Sequence, residues 1–118
     1  MIKRIGIISR PEGMTHEALR EHWLNVHAPI ALRIPGLRGY RLNFVESWLA
    51  GSAEDWDGFA ELWFDDEESM RAGFAALNEE IQADRSKFVG RITVGLVQEH
   101  ILLEQAPLDP AREHPTDV

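Results

Sequence analysis

The chain has 118 residues, 44% of them hydrophobic and 27% charged, with a formal net charge of −8. That size fits one globular domain with a single core and is too short for two. There is no cysteine, which excludes disulfides, thiolate nucleophiles and cysteine–zinc sites together. No apolar run approaches the roughly 18 residues of a membrane span, and MIKRIGIISR is too short a run for a signal peptide, so a cytoplasmic protein is expected.

The negative charge is local. Eight acids and no lysine or arginine lie between Glu54 and Glu68, and elsewhere twelve acids face twelve bases. Four of the eight stand at 65–68, where a helix begins and negative charge is stabilised, so a solvated loop and helix start is expected. No basic stripe exists to neutralise phosphates, and nucleic acid is not an expected partner.

In chain order, the β-branched run Ile2, Ile5, Ile7 and Ile8 predicts a strand at about 2–9, ended by the turn residues Arg10-Pro11-Glu12-Gly13. Thr15 offers an N-cap, so a helix starts at His16. At about 100° per residue, Leu19, Trp23, Val26 and Ile30 form its apolar stripe, with His16, Arg20 and His27 along one edge. His22 falls about 140° around from His27, so the two cannot share a metal on a regular helix. Pro29 ends or kinks this helix, because it lacks an N–H and its ring opposes the carbonyl of Asn25. Pro35-Gly36 makes the exit turn, and a strand follows at about 38–46, where Tyr40, Leu42 and Phe44 alternate with Arg41, Asn43 and Val45. The loop 47–57 carries Trp48 and Trp56, which cover the core or an interface or else serve a site.

A third strand over Gly58–Phe64 is apolar on both faces except for Glu61, which shares a face with Phe59 and Trp63 and is either ion-paired or catalytic. A second helix runs from Asp65 or Asp66 through Leu77, with a further helical piece from Asn78 to about Phe88. The last strand spans Ile92 to Leu103, and residues 105–118, with three prolines, are expected to be a disordered tail behind a 1–104 domain. The order βαββαβ folds, by right-handed crossovers, into a ferredoxin-like α+β domain with a four-stranded antiparallel sheet and both helices on one face. The uncovered face needs a partner, and a homodimer through that open sheet face is predicted.

Several segments stand in a familiar order: the PEGMT turn, the HWLNVHAPIA helix end, the IPGLRGY exit, the ELWFDDEESMRA junction, and Asp84 with Phe88. In these the chain resembles the EthD-like family of the dimeric α+β barrel superfamily, over about residues 1–104. The resemblance implies sheets packed face to face in a dimer and a pocket between sheet and helices in each subunit. Members and close relatives include lactone isomerases, polyketide dehydratases and cyclases, cofactor-free monooxygenases and haem-handling enzymes. The family's histidine maps onto His27 and its helix-start acids onto Asp65 and Asp66. One related isomerase uses a cysteine, and this chain has none.

A histidine titrating near pH 6.5 can take and return a proton around neutrality, as isomerisation and dehydration of carbonyl compounds require. The alternative for His27 is a helix-end residue bonded to a backbone carbonyl. Trp23 could wall an apolar pocket, and Tyr40 or Arg41 could donate to a developing enolate oxygen. His22 reads as a surface or packing residue, His16 and His114 as exposed, and His100 as a polar group that could point into the pocket from the last strand. The expectation is a cofactor-independent isomerase or lyase, without metal, acting on an aromatic, polyketide-like or lactone small molecule. His27, Tyr40 and Glu61 are its candidate catalytic residues, and Trp23, Arg41, Leu42, Trp63 and His100 its candidate substrate-binding residues. The alternatives are a cofactor-free monooxygenase and a non-catalytic ligand or haem binder.

Overall fold

Residues 1–51 and 56–108 are described in a computed structural model. β1 (Ile2–Ser9) and β3 (Gly58–Phe64) take the bounds that their β-branched and aromatic runs predict. β2 covers Gly39–Phe44 and β4 covers Arg91–Val97, both shorter than the expected 38–46 and 92–103. The reason lies in their partners. β2 pairs from Gly39↔Trp63 to Phe44↔Gly58 and so uses nearly the whole of β3, and β4 ends opposite Lys3, next to the chain start. A strand cannot continue where no neighbour remains to take its hydrogen bonds. All pairings are antiparallel in the order β2-β3-β1-β4, giving a ferredoxin-like α+β fold.

The first helical segment begins as predicted. Thr15 caps it, its hydroxyl accepting from the Ala18 N–H at 3.1 Å, and α1 spans His16–His22. The helix then widens into a π-turn over Trp23–His27, in which the Ala28 N–H donates to the Trp23 carbonyl five residues back, before α2 (Ala28–Ala31) resumes the α pattern. Pro29 neither ends the segment nor stops it at His27. The wide turn lies immediately ahead of it, where a regular helix would press the proline ring against the Asn25 carbonyl. The extra residue shifts the inward face. His27 is 8% exposed, whereas Val26, expected on the apolar stripe, is 44% exposed. α3 (Glu67–Ala76) is capped by Asp66, which accepts from the Ser69 N–H at 2.7 Å, and α4 (Asn78–Phe88) follows after Leu77.

The helices lie on one face of the sheet. Ala60, Leu62 and Phe64 of β3 point toward them and are buried, as are Ile8, Leu19, Trp23, Met70, Ile81 and Phe88. Each large side chain so buried contributes about 1.5–3 kcal/mol. The opposite face presents Phe59, 37% exposed, Trp63 and Glu61. Its polar centre is paired: Glu61 is ion-paired with Lys3 and accepts from Asn43 at 2.9 Å. Of the expected tail, 105–108 are exposed and irregular, and 109–118, with His114, lie outside the described residues.

Candidate active site

α4 carries Asp84 and Phe88 one turn apart on one face, both buried at 4% and 1% exposure. They meet the π-turn. Asp84 Oδ2 lies 2.8 Å from His27 Nδ1, and its two oxygens lie 3.0 and 3.1 Å from His22 Nε2. The ring of Phe88 stacks on His22 at 4.8 Å and tilts against His27 at 4.9 Å and Trp23 at 6.0 Å. Two histidines five residues apart share one carboxylate because i→i+5 bonding stacks such residues on one side of the helix. The 140° separation expected for a regular helix does not apply.

The hydrogen-bond roles follow from charge. An ionised carboxylate only accepts, so His27 donates from Nδ1 and His22 from Nε2. His27 is left with Nε2 as the basic nitrogen of a ring that lines a cavity. Burial holds its pKa below the usual histidine value, the nearby charges of Arg85 and His22 add to that, and the bond to Asp84 offsets part of it. Burial thus favours the neutral form of the His27 ring, which the bond to Asp84 orients.

The cavity, about 50 Å³, lies between the sheet and the helices. Trp23, Tyr40, Leu62 and Phe88 wall it, and it opens toward β4, where the lining residues Ile92 and Val94 are 39% and 42% exposed. Burial pushes the Tyr40 hydroxyl up to about 12, so it is a hydrogen-bond donor at every physiological pH.

Of the residues expected at the site, His27, Tyr40 and Trp23 line this cavity. Leu42 packs against the core on the same side of the sheet without lining it. Glu61, Arg41 and Trp63 are on the opposite face, because alternation along a strand sends odd and even residues to different sides. Arg41 lies over the Trp63 ring at 5.2 Å. Glu61 is held ionised: burial works against its charge, but hydrogen bonds from Lys3 and Asn43 outweigh it and keep its pKa low. His100 follows β4 and is exposed, in a surface groove with Arg41 and Trp63. The acidic stretch is not uniformly solvated either. Asp57 is 4% exposed and pairs with Arg10 and with His16, the latter at 2.7 Å; Glu54 and Asp55 fall outside the described residues.

Sequence reasoning assigns no role to Asp84, Arg4 or Arg85, all of which the structure brings to the site or its cavity. Asp84 stands in the sequence only as a point of family likeness. The two arginines sit in polar or mixed runs, KRIG and ADRSK, that read as surface. Among the described residues, no group of three or more His, Cys, Asp or Glu is disposed to hold a metal ion. The two candidate axial histidines for haem lie apart, His27 in the cavity wall and His100 in the surface groove.

The fold is shared with known proteins. The EthD domain family model matches residues 11–92, and the chain belongs to that family. An EthD family protein from Bacillus halodurans is 28% identical, with a TM-score of 0.72 over 85% of this chain and 99% of its own. A dimeric ferredoxin-like protein of unknown function from Thermobifida fusca is 17% identical, with a TM-score of 0.61 over 81% of this chain and 88% of its own. SnoaB from Streptomyces nogalater, a cofactor-independent oxygenase, is 16% identical, with a TM-score of 0.57 over 88% of this chain and 97% of its own. A search of curated proteins found no match.

Proposed function

We propose that this protein is a small cofactor-independent enzyme performing acid–base isomerisation or dehydration on an aromatic, polyketide-like or lactone substrate, with His27 as the general acid–base. The observation that carries the reading is the 2.8 Å bond from His27 Nδ1 to buried Asp84, which fixes the tautomer and leaves Nε2 basic beside the cavity. Nε2 removes a proton next to a carbonyl, Tyr40 donates to the oxygen on which charge develops, and the imidazolium, stabilised by Asp84, returns the proton at a second position or to a departing hydroxyl. Trp23 and Phe88 exclude water from the transfer.

The test is turnover of a panel of small phenols, anthrones and unsaturated lactones. His27→Ala should lose conversion altogether, and Asp84→Asn should lower kcat about 10²-fold to 10⁴-fold, the range general acid–base groups supply. Full activity in His27→Ala would remove the reading.

A second reading draws on the likeness to SnoaB. In it, His27 deprotonates a phenolic substrate whose anion reacts directly with oxygen. Stoichiometric oxygen uptake on turnover distinguishes it from isomerisation or dehydration, which consume none. We also propose that two copies pair through the open sheet face, supported by exposed Phe59 on that face and by the dimeric Thermobifida fusca neighbour.

A further inference from the structure

We propose that Arg4 and Arg85 form a carboxylate-binding subsite in this cavity, so that the substrate is an organic acid whose carboxylate they hold while its apolar body lies against Trp23, Tyr40 and Phe88. The inference rests on the reading of the cavity as a substrate site and narrows its substrate class.

Both arginines line the cavity, Arg4 from β1 and Arg85 from α4. Five other arginines each reach a carboxylate: Arg10 with Asp57, Arg20 with Glu46, Arg33 with Glu80, Arg38 with Asp65 and Arg71 with Glu67; Arg41 and Arg91 do not, but they lie over the Trp63 and Trp56 rings and line no part of the cavity. Arg4 and Arg85 have no carboxylate within 4 Å and no side-chain hydrogen bond among the described residues. In a chain of net charge −8, with twenty acids against twelve bases, carboxylates are in excess. The two are nonetheless left without one in the cavity wall, where burial works against the charge of each and the charge of Arg85 works further against that of Arg4.

Partly burying an unpaired cation is unfavourable, and a second like charge near enough to be felt makes it more so. Arg4 gains from lying over the Phe74 ring at 4.0 Å, but that contact uses the face of the guanidinium and leaves its N–H edge free. Arg4, Phe74 and Val94 are shared between the cavity and the groove beside it at α3 and β4. Arg4 therefore stands where the cavity meets the groove, while Arg85 and His27 line the cavity alone. A planar carboxylate matches the guanidinium fork in geometry as well as charge.

The experiment is isothermal titration of benzoate and of its neutral isostere benzamide into wild type, Arg4→Gln, Arg85→Gln, Arg85→Lys and His27→Ala at fixed pH and ionic strength. Wild type should bind benzoate at least tenfold more tightly than benzamide, roughly the strength of a charge-assisted pair. The preference should fall to within about twofold in either Gln variant and survive in part in Arg85→Lys. His27→Ala should keep the benzoate preference, so loss of turnover and loss of the subsite are read separately. Without ligand, both Gln variants should melt at or above the wild-type temperature, since an uncompensated charge is removed. Equal affinity of wild type for the two ligands overturns the proposal, as does an unchanged preference in both Gln variants. A Gln variant that melts lower and keeps its benzoate preference assigns that arginine to structure alone.

Discussion

Asp84 gives each of its two histidines a different role. His22, stacked on Phe88, fills one side of the carboxylate, and His27 takes the other with its second nitrogen left basic. Because burial lowers the His27 pKa, the sign of two pH effects is fixed. If His27 is the base of the proposed reaction, it is free above its folded pKa, so the acid limb of kcat/KM should have its midpoint below about 6.5, the ordinary histidine value. Removing the bond that opposes the lowering, in Asp84→Asn, should move that midpoint lower still. For stability the unfolded chain binds the proton more readily, so this group's contribution is complete above the unfolded pKa and is lost as pH falls through about 6.5 toward the folded value. Denaturant titrations of wild type and His27→Gln between pH 5 and 7.5 check it: the wild-type decline on acidification should be the steeper. His27 and Tyr40 were named as candidates from residue type and position, His27 with the family likeness behind it, and both line the cavity. Asp84 was not, because a carboxylate in NEEIQADRSKF reads as a solvated helix face until its partners are known.

The first helical segment shows why. Periodicity at 100° per residue turns Val26 inward and separates His22 from His27, and both results are correct for an α-helix. One wide turn reverses them, and nothing in HWLNVHAP signals it except Pro29, which says where a regular helix is strained and not how the strain is relieved. Strand bounds were legible at β1 and β3, where propensity and pairing agree, and overlong at β4, where an apolar run outlasts its neighbour. The exit at Ile34–Gly36 matters in the same way. Gly36 takes φ +82°, which only glycine adopts without strain. α3 packs so close to the exit that a Cβ on Gly73 would meet the Pro35 carbonyl oxygen and come within 2.9 Å of Ile34 Cγ2. Gly73→Ala should therefore cost about 1–3 kcal/mol. Gly95→Ala on β4, where a Cβ meets nothing within 4 Å, should leave the denaturant midpoint nearly unchanged. Equal midpoints for the two variants would show that α3 does not seat where it is described.

At the scale of the molecule, the ferredoxin-like arrangement was legible because six elements in βαββαβ order leave few right-handed solutions. Which strand residues belong to the cavity was not, since alternation sorts residues into two sets without naming the covered one. Glu61, Arg41 and Trp63 fall on the open side for that reason. If that side joins two copies, light scattering should give twice the chain mass of 13.4 kDa at micromolar concentration. Phe59→Arg, which sets like charges against each other across such an interface, should return the monomer while leaving the circular dichroism of the fold intact. A wild-type mass of 13.4 kDa at that concentration would rule the pairing out.

Tyr40 is the single tyrosine of the chain, and it lines the cavity. Biosynthetic incorporation of a fluorinated tyrosine would therefore place one reporter nucleus in the whole protein, in the wall of the cavity. Any molecule entering the cavity would be read as movement of one isolated resonance, and tyrosinate absorbance, with no second phenol contributing, would appear only in strongly alkaline solution.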